Sequence, residues 1–402
     1  MKKAVMYGAG NVGRGFLGQL FSESGYEVVF VDVAPALLAA LNARRSYRLV
    51  LVSNQGAEPL VVENVRAVDG RDVPAVAAEI AEADVLATAV GANILPRIAP
   101  VVAAGLARRA ELRPTQPLNL IICENLKDAP RLFREMLREH LPVELHPYLD
   151  TCVGLVDAVI GRMVPLVPAA EQAQDPSLVY AEPYKVLPVN RAGFVGPIPE
   201  IVGLEPQGRF EAYVDRKLYI HNAGHAMLAY LGALKGLTYG YEALDDPAIR
   251  PWLLRALDES QRALVAEHGL DPAALREHVQ DLLQRFGNRA LGDTIYRLGR
   301  DPLRKLGRTD RLVGAALLAA KHGIAPEALA LGIAAALAFA DPQDPSALTL
   351  QRLLAERGLA AALREVCGLD RGAAPDRRLA DLVAAQLEQV RAGTWQAAGS
   401  AA

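Results

Sequence analysis

The sequence predicts an α/β protein: an N-terminal Rossmann-type domain built on a mostly parallel sheet, followed by a predominantly α-helical C-terminal domain. Three observations carry that prediction. A short apolar strand runs directly into a glycine-rich turn at Gly8, Gly10 and Gly13. Short apolar runs then alternate with helical patterns to about residue 190, as a mostly parallel sheet requires. From Phe210 onward the pattern is almost exclusively helical. The expected division is 1–195 for the first domain and 196–392 for the second. Residues 393–402 lack an amphipathic pattern and are expected to form a flexible tail.

The opening strand, Lys3 to Tyr7, leads into Gly8-Ala9-Gly10-Asn11-Val12-Gly13 and then into an apolar-periodic segment from Phe16 to Ser24. In such a motif Gly8 permits the tight turn, Gly10 lets backbone approach a pyrophosphate, and Gly13 lets the helix pack close to the sheet. The positive end of the helix then faces the phosphates. A glycine motif alone is weak evidence, because glycine-rich turns are common. Here a second strand, Glu27 to Val31, ends in Asp32, where an acid can accept hydrogen bonds from ribose hydroxyls. An acid there repels a 2′-phosphate, so NAD is expected over NADP, with Arg14 and Arg44 as the cations that could offset it. Pro35 to Arg45 reads as helix, and Tyr47–Ser53 with Pro59–Val68 as a hairpin insertion. Asp84 to Val90 is a buried strand, and the cofactor loop is expected at Ala89, Val90 and Gly91. Pro117 to Cys123 is another strand, carrying Glu124 and Asn125 at its carboxyl end, where ligands bind in such sheets. Val153 to Ile160 is a further strand.

Residues 166–209 are rich in Pro and Gly and are expected to link the domains. Expected helices beyond them include Phe210–Leu234, Pro247–His268, Pro272–Phe286, Asp310–His322, Pro326–Ala340, Leu348–Arg357 and Leu379–Arg391. Several open on proline, which suits a first helical turn.

Composition excludes several classes of function. The chain has 402 residues, 22% of them charged, and a net charge of −3, so nothing suggests a nucleic-acid footprint. Cys123, Cys152 and Cys367 are far apart and odd in number, which fits a reducing compartment rather than a disulfide framework or a zinc site. No HExxH-type ligand spacing occurs, and no metal is expected. The first strand starts almost at Met1, leaving no room for a signal peptide. The longest apolar run, Ala328 to Ala340, is shorter than the roughly 20 residues that span a bilayer. A soluble, cytoplasmic protein is expected, acting on a small molecule as a monomer or weak homo-oligomer.

The richest chemistry lies in the stretch Lys217 to Ala226. Read as an α-helix at about 100° per residue, Lys217, Asn222 and His225 project within an arc of roughly 140°. A lysine, an amide and an imidazole on adjoining faces can run a reversible proton transfer without a metal. Lysine's ordinary pKa of about 10.4 is too high for a base at neutral pH. Burial or a neighbouring cation, with Arg216, Arg297 and Lys305 as candidates, can bring it to about 7–8. Taken singly, each residue has a plainer reading: a solvated lysine, a structural amide, a core histidine. Asn125 offers a second amide that could stabilise an alkoxide-like oxygen, or it caps the next helix. Glu124 either relays protons from Lys217 or is a surface acid at a helix N-terminus. The run Arg297 to Arg308 holds five cations in twelve residues. It suits an anionic substrate, since guanidinium groups bind phosphate through two donors, and it could equally be a solvated loop.

Together these segments resemble the polyol-specific long-chain dehydrogenases over nearly the whole chain. The resemblance rests on Gly8 to Phe16, Thr88 to Gly91, Cys123-Glu124-Asn125, Asp157 to Pro165, Lys217 through His225, and Gly299 to Leu306. It implies zinc-independent, NAD-dependent oxidation of mannitol 1-phosphate to fructose 6-phosphate, and the reverse reduction. It assigns Lys217 as general base and acid, Asn125 and Asn222 as oxyanion-binding amides, and His225 as a partner of a substrate hydroxyl. Arg297 and Lys305, eight positions apart, match a substrate-binding Arg and Lys of the family's free-mannitol enzymes. Arg300 and Arg304 resemble its sugar-phosphate branch and are the phosphate candidates. One departure is Ile160-Gly161-Arg162, where the family usually reads Val-Asp-Arg. Close alternatives are oxidation of free mannitol or reduction of a hexuronate; a more distant one is a catalytically silent NAD-binding protein.

Overall fold

The computed structural model describes residues 1–396, and the chain divides into two compact units, Met1–Phe210 and a second beginning at Glu211. Eleven strands lie in the first unit: β1 Lys2–Tyr7, β2 Tyr26–Asp32, β3 Ser46–Ser53, β4 Gly56–Glu63, β5 Val65–Asp69, β6 Val85–Thr88, β7 Leu118–Ile122, β8 Val153–Asp157, β9 Val179–Ala181, β10 Leu187–Asn190 and β11 Leu204–Gln207. The main sheet has the order β5-β2-β1-β6-β7-β8, and its strand pairs are all parallel. Order reverses beside β1, which sets the carboxyl ends of β1 and β6 side by side as a ligand crevice.

Both faces of this sheet are covered, as continuous apolar strands require. Along β1, Ala4 and Met6 enter one core with Val28, Phe30 and Phe16. Val5 and Tyr7 enter the other with Val29, Leu86 and Leu120. That is the two-residue alternation of a strand seen from both sides.

The segment 59–68 does not form one strand. Asn64 adopts a left-handed φ of 58° and breaks it. Residues before the break pair antiparallel with β3, from Ser46↔Glu63 to Ser53↔Gly56. Residues after it join the main sheet, with Val28 against Val65. The boundary between units also falls later than 195, because β10 and β11 pair in parallel and keep residues to 210 with the first unit.

The second unit contains the expected helices, several with shifted ends. Val313–Lys321 starts three residues later than 310, and Pro345–Glu365 runs through a non-helical Gly358 with φ 75°. Its centre is Glu327–Leu337, buried from Ala328 to Leu337. The carboxylate of Glu259, on Arg250–His268, accepts the N–H groups of Ala328 at 2.8 Å and Leu329 at 3.0 Å, satisfying donors that the first turn leaves open. The tail expected from residue 393 does not begin there. Trp395 is 1% exposed, and its carbonyl accepts the Trp252 indole N–H at 3.1 Å. Residues 397–402, the remainder of that tail, lie outside the described residues. Among the described residues, no helix is long and apolar enough to cross a membrane.

Candidate functional site

At the end of β1 the chain turns on Gly8, whose φ of 101° is open to glycine. Its N–H donates to the Val31 carbonyl at 2.8 Å. A Cβ on Gly8 would lie 2.5 Å from the Ala89 carbonyl oxygen and 3.1 Å from a Val90 methyl, so the turn and the loop after β6 are in contact. A Cβ on Gly13 would lie 2.0 Å from the Gly8 carbonyl oxygen. Gly13 is thus required for helix-on-turn packing. Gly10 differs: a Cβ there would meet nothing within 4 Å, and the residue is exposed. Asn11 and Val12 begin the helix and are half-buried. From Gly13 to Leu17 the helix is π-wound, and the Gly18 N–H reaches the Gly13 carbonyl.

Two carboxylates fix this crevice. Asp32 accepts the Ala9 N–H at 2.8 Å through one oxygen, and the Val33 and Ala34 N–H groups at 2.7 and 3.1 Å through the other. Glu124 accepts the N–H groups of Val90 at 2.9 Å and Gly91 at 2.8 Å, and is 7% exposed. The surface-acid reading of Glu124 does not hold: its carboxylate clamps the loop of the adjacent strand. The parallel register of Thr88 with Ile122 puts residues after β7 next to residues after β6, which pairing alone could have suggested. Asn125 is exposed and does not cap the next helix, which has Asp128 at its N-cap position.

Of the two cations beside the ribose position, Arg14 is 4% exposed. It donates to the carbonyls of Ala9 at 2.6 Å and Leu178 at 3.1 Å. Arg44 pairs with Asp175 at 2.8 Å. At the departure from the family pattern, a Cβ on Gly161 would sit 3.3 Å from the Tyr184 ring. The neighbouring Arg162 is buried on the Glu182 carbonyl at 2.7 Å and the Gln19 amide at 2.6 Å.

The lysine stretch is not one continuous α-helix. Phe210–Arg216 is α-helical, Lys217–Asn222 is π-wound, and Ala223–Leu234 is α-helical again. The Ala223 N–H reaches the Leu218 carbonyl five residues back. This wider turn rotates Asn222 closer beneath Lys217 than a uniform 3.6-residue winding does; such π-turns concentrate at functional sites. Asn222 is 9% exposed and His221 8%, while Lys217 and His225 are half-buried.

Burial, then the nearby Arg311, brings Lys217 down to about 8, with Asp310 opposing. Arg311, rather than Arg216, is the cation that acts on it; the Arg216 guanidinium lies 4.5 Å over the Tyr213 ring. Burial also holds His225 neutral, well below its ordinary range, followed by Arg311, Arg297, Lys305 and Arg285. His225 packs tilted on Phe286 at 4.2 Å and edge-on to His221 at 4.9 Å between ring centroids.

The basic run separates into unlike environments. Lys305 is 4% exposed, bonded to the Leu298 carbonyl, and lowered to about 7 by burial and then Arg311. Arg297 is paired with Asp293. Arg304 is half-exposed between Asp301 at 2.8 Å and Asp310 at 3.4 Å, and Arg300 is exposed. Sequence reading missed Arg311, which lies beyond the run, inside what reads as a helix from Asp310. Among the described residues, no group of three or more His, Cys, Asp or Glu side chains could hold a metal ion.

The arrangement fits a dinucleotide on the first unit: an open glycine face, and an acid at the end of the second strand that is bonded to the turn. Comparison with known proteins agrees in both units. Residues 2–203 match the mannitol dehydrogenase Rossmann domain, and residues 209–389 match the mannitol dehydrogenase C-terminal domain. The chain is 41% identical over 369 residues to mannitol-1-phosphate 5-dehydrogenase of Brevibacillus brevis, covering 92% of this chain and 94% of that one. Pseudomonas fluorescens mannitol 2-dehydrogenase, solved in a ternary complex with NAD and D-mannitol, superposes with TM-score 0.78 at 18% identity, covering 99% of this chain and 93% of that one. A D-sorbitol dehydrogenase in substrate-free form superposes with TM-score 0.80 at 18% identity, covering 99% and 95%. These last two establish the shared fold. With family models matching both units and a relative that close along nearly its whole length, the chain belongs to the mannitol dehydrogenase family.

Proposed function

We propose that this protein oxidises D-mannitol 1-phosphate to D-fructose 6-phosphate with NAD, and catalyses the reverse reduction. The observation that carries the reading is Lys217: it is lowered to about 8 and lies in one π-wound turn with Asn222, one turn before His225. A lysine poised there is a base for an alcohol and an acid for its ketone. NAD, when bound, supplies the hydride acceptor. Gly8, Ala9, Gly10, Asn11, Val12 and Gly13 would hold its pyrophosphate, Asp32 its ribose, and Ala89, Val90 and Gly91 the approach to its nicotinamide.

In this mechanism Lys217 takes the hydroxyl proton as the carbinol carbon loses hydride. The amides of Asn125 and Asn222 donate to the developing oxyanion. His225, kept neutral, exchanges a hydrogen bond with a further hydroxyl, and Arg297 and Lys305 contact the substrate. The phosphate ester is favoured over free mannitol by the Brevibacillus relative and by the cations clustered around His225. NAD is favoured over NADP because Arg14 and Arg44 are engaged elsewhere.

A substrate panel tests the reading. Reduction of fructose 6-phosphate, fructose and fructuronate is followed with NADH and with NADPH. Fructose 6-phosphate with NADH is expected to give the highest kcat/KM; preference for either unphosphorylated sugar overturns it.

A further inference from the structure

Arg311 is 7% exposed. Its Nε and its backbone N–H both donate to one oxygen of Asp310, at 2.7 and 2.6 Å. Its two terminal amino groups have no hydrogen-bond partner among the described residues. Lys305, 4% exposed, spends its ammonium on a backbone carbonyl. Arg311 is also the foremost charged neighbour of Lys217, of Lys305 and of His225.

Asp310 bonds Arg311 and acts on Lys217 and Lys305, Asp301 also acts on Lys305, and the second oxygen of Asp310 is shared with Arg304 at 3.4 Å. Buried cations are tolerated when paired and costly when not. Lys305 and Arg311 are buried and share two carboxylates, Asp301 and Asp310, with Arg304, so this cluster is short of negative charge. A guanidinium with both terminal groups available presents two parallel donors, the geometry that matches two oxygens of a phosphate.

We infer that Arg311, with Lys305, binds the phosphoryl group of the substrate, in place of the exposed Arg300 and Arg304. This assignment rests on the sugar-phosphate reading above. Arg304 is already divided between Asp301 and Asp310, and an exposed arginine's attraction is weakened by water and salt. The dianion on Arg311 and Lys305 compensates the buried cations around the base, so a phosphorylated substrate is selected at the site of chemistry. Fructose, lacking the phosphate, leaves that charge uncompensated.

The test uses the full chain with NADH. kcat/KM is measured for fructose 6-phosphate and for fructose, with inorganic phosphate as competitor. Arg311→Gln is expected to lower the ratio of the two kcat/KM values by about 100-fold or more, and Lys305→Met by about 10-fold, as loss of charge-assisted bonds implies. Competition by inorganic phosphate should disappear in Arg311→Gln, while Arg300→Ala and Arg304→Ala keep the ratio within about threefold. Should Arg311→Gln fail to fold, Arg311→Lys retains the charge but not the two-donor geometry and still lowers the ratio about tenfold. A ratio unchanged in the folded Arg311 variant, or a loss confined to Arg300→Ala or Arg304→Ala, overturns the assignment. Wild-type protein preferring fructose overturns the substrate reading itself, before any variant is compared.

Discussion

The Asp32 carboxylate accepts the Ala9 N–H at 2.8 Å, tying the end of the second strand to the glycine turn at the end of the first. The same carboxylate also accepts from Val33 and Ala34, which fixes its orientation and leaves further lone pairs toward the ribose position. Asp32→Asn keeps the shape but has only one acceptor oxygen. NADH KM is expected to rise about tenfold and selectivity over NADPH to fall, since repulsion of the 2′-phosphate is lost. Unchanged cofactor selectivity in steady-state kinetics would count against the ribose role.

Gly10 and Gly13 should respond oppositely to the same methyl group. Gly13→Ala drives Cβ to 2.0 Å from the Gly8 carbonyl oxygen, so a loss of about 2–4 kcal/mol is expected in denaturant unfolding. Gly10→Ala meets no protein atom within 4 Å. Its stability should stay within about 0.5 kcal/mol of wild type, while NADH binding weakens about tenfold or more because the methyl occupies the pyrophosphate approach. Equal binding in a fluorescence titration would place the pyrophosphate elsewhere.

Lys217 sets a pH dependence whose sign differs with reaction direction. The charged and titratable groups around it include Arg311, Asp310 and His221. Oxidation needs the neutral amine, so its rate should rise with pH and level off above about 8. Reduction needs the ammonium and should fall through the same range. Lys217→Ala is expected to lose about 10³-fold or more in kcat with NADH binding retained. A flat profile in both directions would remove Lys217 from the proton transfer.

Glu259 makes a prediction about stability rather than catalysis. Burial raises its carboxyl to about 7, against the opposing N–H bonds of Ala328 and Leu329. A carboxyl whose folded value lies above its unfolded value stabilises most when protonated. Its contribution is complete below about 4.5 and is lost as pH rises through about 7. Unfolding free energy should therefore decline by about 3 kcal/mol across that window. In Glu259→Gln the decline should disappear, which urea titrations at pH 5 and pH 7.5 would reveal.

Residue order by itself determined the parallel sheet, the glycine turn, the acid at Asp32 and the helical second unit. Each rests on short-range periodicity or on backbone conformations that only certain residues adopt. Lys217, Asn222 and His225 were legible for the same reason, being close in sequence. The tertiary structure decided what distance along the chain conceals. It put Glu124 on the amides of Val90 and Gly91, 34 and 33 positions earlier, and it brought Arg311 to Lys217. It also sorted a run of similar cations into buried Lys305, paired Arg304 and exposed Arg300. Burial and charge environment belong to the packed chain, and local sequence does not specify which of several equivalent side chains water will reach. The π-turn at Lys217–Asn222 falls between these cases: its residues are local, but the extra residue in the turn is a property of the packed helix.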